Sequence, residues 1–387
     1  MLTILVTGAN GFIGRNLCAH LRERSDLSLL TVGRDTPMAG LEEAIAKADV
    51  IVHLAAVNRP SDSSEFDHVN IGYTETVARL ITASPKPRRI IFTSSIQAGN
   101  DTPYGRSKQS AEECLQTLAR NQPVSVSVFR LRNVFGKWSR PNYNSVVATF
   151  SHNVANDLPI DIHDPARTVD LVCVDDVIDE MMHEIAAPIV PHEFLHRGAE
   201  IPTATVSLGG LAGHLRKFRK IRDSLLLPDF STRFLQQLYA TYLSYAEPTT
   251  VAYSLQARHD ARGNLAEFIK SDSAGQIFVS RTRPGVTRGN HYHHTKTEKF
   301  LVLEGEGLIE IRHIDGNAKF EFRVSGTEYR VVDILPGYTH SIKNVGDSEM
   351  VTLFWSSEIF DPDRPDTYAQ NVDRSGLAEP HDCRKAP

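Results

Sequence analysis

The sequence predicts a doubly wound parallel α/β sheet followed by an all-β barrel. Three observations carry this. Short apolar strands alternate with amphipathic helical segments through the first half, the texture changes near residue 247, and beyond it short alternating runs are punctuated by Gly and Pro. At a prior of roughly 150 residues per domain, 387 residues make two units. The first is expected at 1–246, with a substrate-binding part from about 130, the second at 247–370, and a tail at 371–387.

The elements follow in order. Leu2 to Thr7 reads as the first core strand, and Ile13 to Arg24 as a helix with apolar residues three and four apart. Leu27 to Val32, Val50 to Leu54, Arg89 to Thr93 and Val124 to Leu131 continue the sheet, and Lys108 to Arg120 can lay one face on it. From Ser231 to Tyr245 a further helix places Phe234, Leu235, Leu238, Tyr239 and Tyr242 on one side. Ala246 to Thr250, with Pro248, marks the boundary. Gln276 to Arg281, Phe300 to Leu303, Gly307 to Arg312 and Val351 to Trp355 are strands of a barrel or sandwich. From Asp361 onward, prolines and charges predict a segment that lies over the surface or is disordered.

Composition narrows the function classes. A hydrophobic fraction of 41% and a charged fraction of 23% are ordinary for a globular enzyme, and a formal charge of -5 offers no attraction to nucleic acid. Met1 to Val6 runs straight into the first strand without a signal-peptide pattern, and no apolar stretch reaches the roughly 20 residues that span a bilayer. A cytoplasmic protein without a membrane partner is expected. Cys18, Cys114, Cys173 and Cys383 lie too far apart for a zinc or redox pair. They read as free thiols, the first three buried.

The first strand ends in Thr7-Gly8-Ala9-Asn10-Gly11-Phe12-Ile13-Gly14, a GxxGxxG turn that opens a helix. Such glycines let the backbone approach a pyrophosphate, and the helix start points its N–H groups and positive dipole end at it. The ribose partner belongs about 20 residues on, where Arg34 closes the second strand. A guanidinium there pairs with the 2′-phosphate of NADP, and Asp35 beside it offers the ribose alternative. Tyr104 and Lys108 stand four apart on one helix face. A phenol titrates near 10, so acid–base work near neutrality needs the adjacent cation. Ser94 and Ser95 close the fourth strand, where a hydroxyl can bond a carbonyl under reduction.

Together these residues resemble the extended short-chain dehydrogenase/reductases, Rossmann-type enzymes that mostly act on nucleotide sugars. The likeness extends to His53-Leu54-Ala55-Ala56, Asn70, Arg130 to Gly136, and Arg167-Thr168-Val169-Asp170 leading to Val174-Asp175-Asp176-Val177. It implies a catalytic set of Ser95, Tyr104 and Lys108, with Ser94 as rival to Ser95. It also implies a cofactor site of Gly8, Asn10, Gly11, Phe12, Ile13, Gly14, Arg34, Leu54, Ala55, Ala56, Tyr104 and Lys108, with Asn133 and Arg167 on the substrate. Thr36 to Lys47 lacks the extra strand that often holds the adenine. Ile96-Gln97-Ala98 after Ser95 lacks the acidic pair of a dehydratase. Arg34, as a phosphate ligand, points to net reduction with NADPH.

In the second half His291 and His293 stand two apart on a strand, so both point one way, and Glu298 can close the group. The run from Gly285 to Gly305 and the stretch Pro336 to Asn344 resemble the two motifs of the cupin jelly-roll family. That resemblance implies His291, His293, Glu298 and His340 as ligands of a divalent metal. Nitrogen and oxygen donors without thiolate suit zinc, with iron, manganese and nickel still open. Asp260 to Glu267 resembles the opening of cupin-type deoxysugar epimerases. His294, Lys296 and Tyr338 are the candidate acid/base groups.

The pairing of both halves resembles the bifunctional epimerase/reductases of bacterial capsule and O-antigen synthesis, and implies a homodimer. Those enzymes act on a UDP-2-acetamido-2,6-dideoxy-4-keto hexose. Inversion at C3 and reduction at C4 give UDP-N-acetyl-6-deoxy-L-talosamine, on the route to N-acetyl-L-fucosamine; the alternative is an NADPH-dependent 4-keto nucleotide-sugar reductase whose cupin is a structural, dimerisation or ligand-sensing module.

Overall fold

Apolar runs buried on both faces form a parallel sheet in the first half of the chain, as near-continuous hydrophobic strands require. The computed structural model describes residues 1–60 and 62–373. In chain order the elements are β1 (Leu2–Thr7), α1 (Phe12–Arg22), β2 (Leu27–Val32), α2 (Met38–Lys47) and β3 (Val50–His53). A π-helical turn (Phe66–Gly72) runs into α3 (Tyr73–Ala83), followed by β4 (Arg88–Ser95), α4 (Pro103–Asn121), β5 (Val124–Leu131) and β6 (Asn133–Phe135). Then come α5 (Val146–Ala155), β7 (Thr168–Cys173), α6 (Val174–Ala186), β8 (Phe194–Arg197), β9 (Thr203–Ser207), α7 (Leu208–Ser224) and α8 (Arg233–Leu243).

The main sheet has the order β2-β1-β3-β4-β5-β8, all parallel, and β6-β7-β9 form a small separate sheet. Alternation along the strands sorts the core. Ile4 and Val6 face α1 and α6 through Leu17, Leu21, Ile178 and Met181, while Leu5 and Ile51 face α2, α3 and α4 through Leu41, Ile81, Ala111 and Leu115. Each fully buried Leu or Ile contributes ~1.5–3 kcal/mol. The sheet faces therefore hold this Rossmann-type unit together, and the loops at the strand ends can carry function.

The start of one helix differs from the sequence reading. α4 begins at Pro103 rather than Lys108, because the Thr102 hydroxyl accepts the Gly105 N–H at 3.0 Å and proline suits a first-turn position. Tyr104 thus lies in the first helical turn. The stretch Thr36 to Lys47 holds α2 and no strand, so β2 is the sheet edge.

The second compact unit joins Lys220–Asp229 to the chain from Ala252 onward, and the first comprises Met1–Arg219 with Phe230–Val251. After a 3₁₀ turn at Pro248–Thr250, the strands are β10 (Ala257–Asp260), β11 (Gly263–Ser271), β12 (Gly275–Thr282), β13 (Thr287–Tyr292), β14 (Glu298–Glu304) and β15 (Glu306–His313). They continue as β16 (Lys319–Ser325), β17 (Val331–Ile334), β18 (Tyr338–Asn344), β19 (Met350–Ser356) and β20 (Tyr368–Ala369). Two antiparallel sheets, β10-β11-β12-β19-β14-β17 and β16-β15-β18-β13-β20, make the cupin-type jelly roll. Its core is Phe300, Val302, Ile309, Ile311, Ile342, Met350 and Phe354.

As expected, the segment from Asp361 to Asp373 lies largely over the surface, with Val372 the exception. It contributes β20 to the sheet, and Val372 is buried, its carbonyl held by the buried Arg312 guanidinium. Cys18 and Cys173 are buried and unbridged, but Cys114 is half-buried rather than buried. Cys383 and the tail beyond residue 373 lie outside the described residues. Among the described residues no helix is long and apolar enough to cross a membrane.

Candidate active site and metal centre

In the first unit the loops after β1 and β3 meet where the strand order reverses, the usual ligand crevice of an open α/β sheet. Gly8 has φ +70°, and a Cβ there would lie 2.7 Å from the Ala55 nitrogen, so only glycine allows the two turns to close on each other. Gly11 precedes α1 and offers no side-chain cap, which leaves the helix's first N–H groups for an anion. Leu54, Ala55 and Ala56 form the facing loop, tied back by Ala55 N to Thr7 Oγ1 at 3.4 Å. His53 is fully buried between Thr7 Oγ1 at 2.7 Å and Thr74 Oγ1 at 3.0 Å. Burial, helped by the Lys108 charge, pulls it down to about 3, so it is a neutral pillar beneath the crevice. Asn70 pins the same loop, bonding Val57 N, Val57 O and Ser107 Oγ.

At the carboxyl end of β4 the two serines diverge. Ser94 donates to Glu112, which also takes Nε and Nη2 of Arg130. Ser95 instead accepts Gln97 N–H at 3.1 Å and lies within electrostatic reach of the Tyr104 phenol. The strand pleat thus puts Ser95, and not Ser94, on the tyrosine's side. Burial pushes the Tyr104 phenol above its ordinary value, with Ser95 opposing. Lys108 is buried, donates to Thr93 O at 2.9 Å and rests 4.9 Å from the Phe92 ring centroid. Burial pulls its ammonium down to about 8, with Glu112 opposing. Glu112 was missed by the sequence reading, although its place four residues after Lys108 puts it on the same helix face.

Arg34 and Asp35 are both exposed at the end of β2 and make no ion pair with each other. Asn10 and Gly33 flank that edge. Pairing of β6 with β7 brings Asn133 alongside Asp170, whose carbonyl it bonds at 3.0 Å, and Arg167 is exposed just before β7.

In the second unit His291, His293, Glu298 and His340 converge, with one ligand atom from each lying within 4.8 Å of the others. A bulge builds this. The register of β13 on β18 shifts between Gly289 and His291, with Asn290 at φ +59°. Gly289 has φ +95°, and a Cβ on it would lie 2.7 Å from the His340 carbonyl oxygen. His291 then stands opposite His340, their ring centroids 4.5 Å apart.

The donor chemistry fits a cation. A carbonyl can only accept, so His293 Nδ1 donates to Asp366 O at 2.6 Å and His340 Nδ1 to Tyr338 O at 3.3 Å. That leaves Nε2 of each ring as the atom turned into the cluster. These two Nε2 atoms are buried without a hydrogen-bond partner, 3.4 and 3.3 Å from Glu298 Oε2. Burial acts to raise the Glu298 carboxyl, but His293 and His340 outweigh it and hold it far below the usual carboxylate range. Burial, with His340 next in effect, pulls His291 down to about 4. Three imidazole nitrogens and one carboxylate suit a divalent transition metal.

Of the three acid/base candidates, one shares the face of the cluster. Tyr338 precedes His340 by two on β18 and points the same way, its ring edge-on to His313 at 5.2 Å. His294 is exposed and turned to Tyr292 and Tyr368. Lys296 is buried, but its ammonium is committed to Pro365 O at 2.8 Å and Thr367 Oγ1 at 3.0 Å. The sequence reading also missed Asp366, which contacts this loop across some seventy residues and carries no local signal.

Residues 4–192 match the NAD dependent epimerase/dehydratase family, and residues 258–368 the polysaccharide biosynthesis C-terminal domain. The chain is 42% identical over 371 residues to the UDP-2-acetamido-2,6-beta-L-arabino-hexul-4-ose reductase of Pseudomonas aeruginosa, a match covering 96% of this chain and 99% of that relative. The capsular polysaccharide assembling protein CapF from Staphylococcus aureus superposes with a TM-score of 0.88 at 42% identity, over 95% of this chain and 99% of that one. A second CapF structure, with the inhibitor 3-isopropenyl-tropolone, gives 0.83 at 38% identity over 96% and 100% of the two chains.

Proposed function

The chain belongs to the same family as the UDP-2-acetamido-2,6-beta-L-arabino-hexul-4-ose reductase of Pseudomonas aeruginosa, and from that membership we propose a bifunctional nucleotide-sugar enzyme. Its cupin half inverts C3 of a UDP-2-acetamido-2,6-dideoxy-4-keto hexose, and its Rossmann half reduces the C4 ketone with NADPH. The observation that carries this reading is the coexistence of two complete sets of reactive groups, Ser95–Tyr104–Lys108 and the His291–His293–Glu298–His340 cluster, in one chain.

In the reductase half, bound NADPH supplies hydride to the ketone carbon. Tyr104 protonates the oxygen as its charge develops, and a phenol whose titration is raised by burial stays protonated for that task. Ser95, on the Tyr104 side of β4, holds the carbonyl in line, while the Lys108 ammonium stabilises the phenolate left behind. Arg34, exposed and unpaired with Asp35, supports the choice of the phosphorylated cofactor.

In the cupin half, His291, His293, Glu298 and His340 would hold a divalent metal, with zinc the first choice. When bound, the metal supplies Lewis-acid polarisation of the C4 carbonyl. Loss of the C3 proton is feasible only while C4 is a ketone, because the charge spreads onto that oxygen. Epimerisation therefore precedes reduction. Tyr338 is the best placed of the candidates to exchange the C3 proton, sharing the His340 face. A tropolone carries two adjacent oxygens that chelate cations, so the inhibitor in one CapF relative is of a type this cluster would take.

The test is direct. The purified protein, given the 4-keto UDP-sugar and NADPH, should oxidise the cofactor and yield a 4-hydroxy sugar inverted at C3. Failure to oxidise NADPH with every keto-sugar nucleotide offered would overturn the reading.

A further inference from the structure

We propose that Asp366 is a positioning residue for the cupin metal site, and that the segment 365–372 is a strap holding the ligand strands in register. The proposal rests on the metal reading of the His291–His293–Glu298–His340 cluster.

The Asp366 carboxylate accepts from three consecutive backbone N–H groups, those of His294, Thr295 and Lys296, each at 2.9 Å, and from Thr295 Oγ1 at 3.1 Å. Successive N–H groups of this kind form a concavity that takes an anion, and here the protein supplies its own. The same residue's carbonyl accepts His293 Nδ1–H at 2.6 Å. One residue therefore clamps the loop after His293 and also fixes which nitrogen of that ring is free. It does so from φ +39°, a left-handed conformation that aspartate tolerates better than most side chains.

Further bonds extend the strap along the site. Lys296 Nζ donates to Pro365 O and Thr367 Oγ1. β20 pairs with His291 and Tyr292, and Gln370 N donates to Asn290 O at 2.9 Å, on the bulge that aims His291. From the neighbouring strand, Thr339 Oγ1 donates to Gln370 O at 2.5 Å, next to His340. The buried Arg312 guanidinium anchors the far end through Asn371 O and Val372 O. The strap touches both strands that present histidines and is bonded to one of those ligands, so its loss disorders ligands rather than the apolar core of the barrel. Partners that orient metal-bound histidines change metal affinity by about 10–100-fold when removed.

The experiment uses the full-length protein stripped of metal, with Co²⁺ as probe. Affinity is read by competition with a chelator, and ligand geometry by the visible spectrum. Asp366→Gly keeps the positive φ but removes the carboxylate, and is expected to bind Co²⁺ about 10–100-fold more weakly with an altered spectrum. Asp366→Asn keeps one oxygen acceptor and the left-handed tolerance, and should restore part of the loss. Thr295→Val deletes a single bond to the same carboxylate; it should show a smaller loss, and it carries the test should either Asp366 variant fail to fold. Co²⁺ affinity and spectrum unchanged in the variants overturn the proposal, as does a fall in metal-free thermal stability without a change in affinity. A wild-type protein that binds no Co²⁺ would instead sink the metal reading itself.

Discussion

The two candidate sites reach their buried polar groups in opposite ways. Around Tyr104 the buried reactive groups already have protein partners: Lys108 donates to Thr93 O, and Ser95 accepts Gln97 N–H. Around Glu298 the ring nitrogens are aimed inward and left bare, with His293 Nε2 and His340 Nε2 buried and unbonded. An unbonded buried polar atom costs about 1–3 kcal/mol. The barrel bears that cost twice, in an arrangement a cation would relieve. The first site is therefore preorganised around its own hydrogen bonds, whereas the second, in the proposed reading, is organised around a metal.

That contrast can be broken by experiment, beginning where the effect is greatest. His291→Ala with Glu298→Ala removes two of four donors and should abolish exchange of the substrate C3 proton with deuterated solvent. Undiminished exchange, followed by mass spectrometry, would reduce the cluster to a structural clamp. Tyr104→Phe deletes only the proton donor of the other site and should slow NADPH oxidation by roughly 10²–10⁴-fold while C3 exchange continues. Loss of both activities together would deny that the sites are separable.

The preorganised site should also show itself in pH-dependent stability. His53 is held neutral in the folded unit, titrating at about 3 against roughly 6.5 when unfolded. Above pH ~6.5 both states are neutral and its contribution is fully present. As pH falls, the unfolded chain takes up a proton that the folded one refuses, so about 1.4 kcal/mol is lost per pH unit down to about 3. Urea unfolding at stepped pH should reveal that slope, and His53→Gln should flatten it. The smallest effect is expected at the sheet edge, where Arg34→Ala should narrow the preference for NADPH over NADH by about tenfold, the worth of one charge-assisted hydrogen bond. An unchanged ratio would move cofactor choice elsewhere.

What could be read from the sequence divides along the same physical line. Features set by local spacing were legible: the Gly8 turn between strand and helix, Tyr104 and Lys108 on one helical face, and His291 and His293 on one strand face. Ser94 and Ser95 differ only in which side of a pleat they occupy at the end of β4, and the sequence left them as rivals. His294 and Lys296 looked equivalent to Tyr338 because nothing local shows that the loop carrying them folds over Asp366. That carboxylate reaches them only once the barrel has closed, and the prolines and charges around it read as an ordinary surface tail. Cys114 was expected to be buried, but it is half-buried, at the margin of the α4 contact with the core.

The proposed function ties both halves to one ketone, first to acidify the C3 hydrogen and then to accept hydride. The sharpest check runs the full-length protein in deuterated water with the 4-keto UDP-sugar, first without NADPH and then with it, and locates deuterium by mass spectrometry and NMR. Solvent deuterium should enter C3 before any cofactor is added, and the reduced sugar formed afterwards should retain it at C3 and carry the cofactor's hydride at C4. A reduced product free of solvent deuterium at C3 would contradict the account.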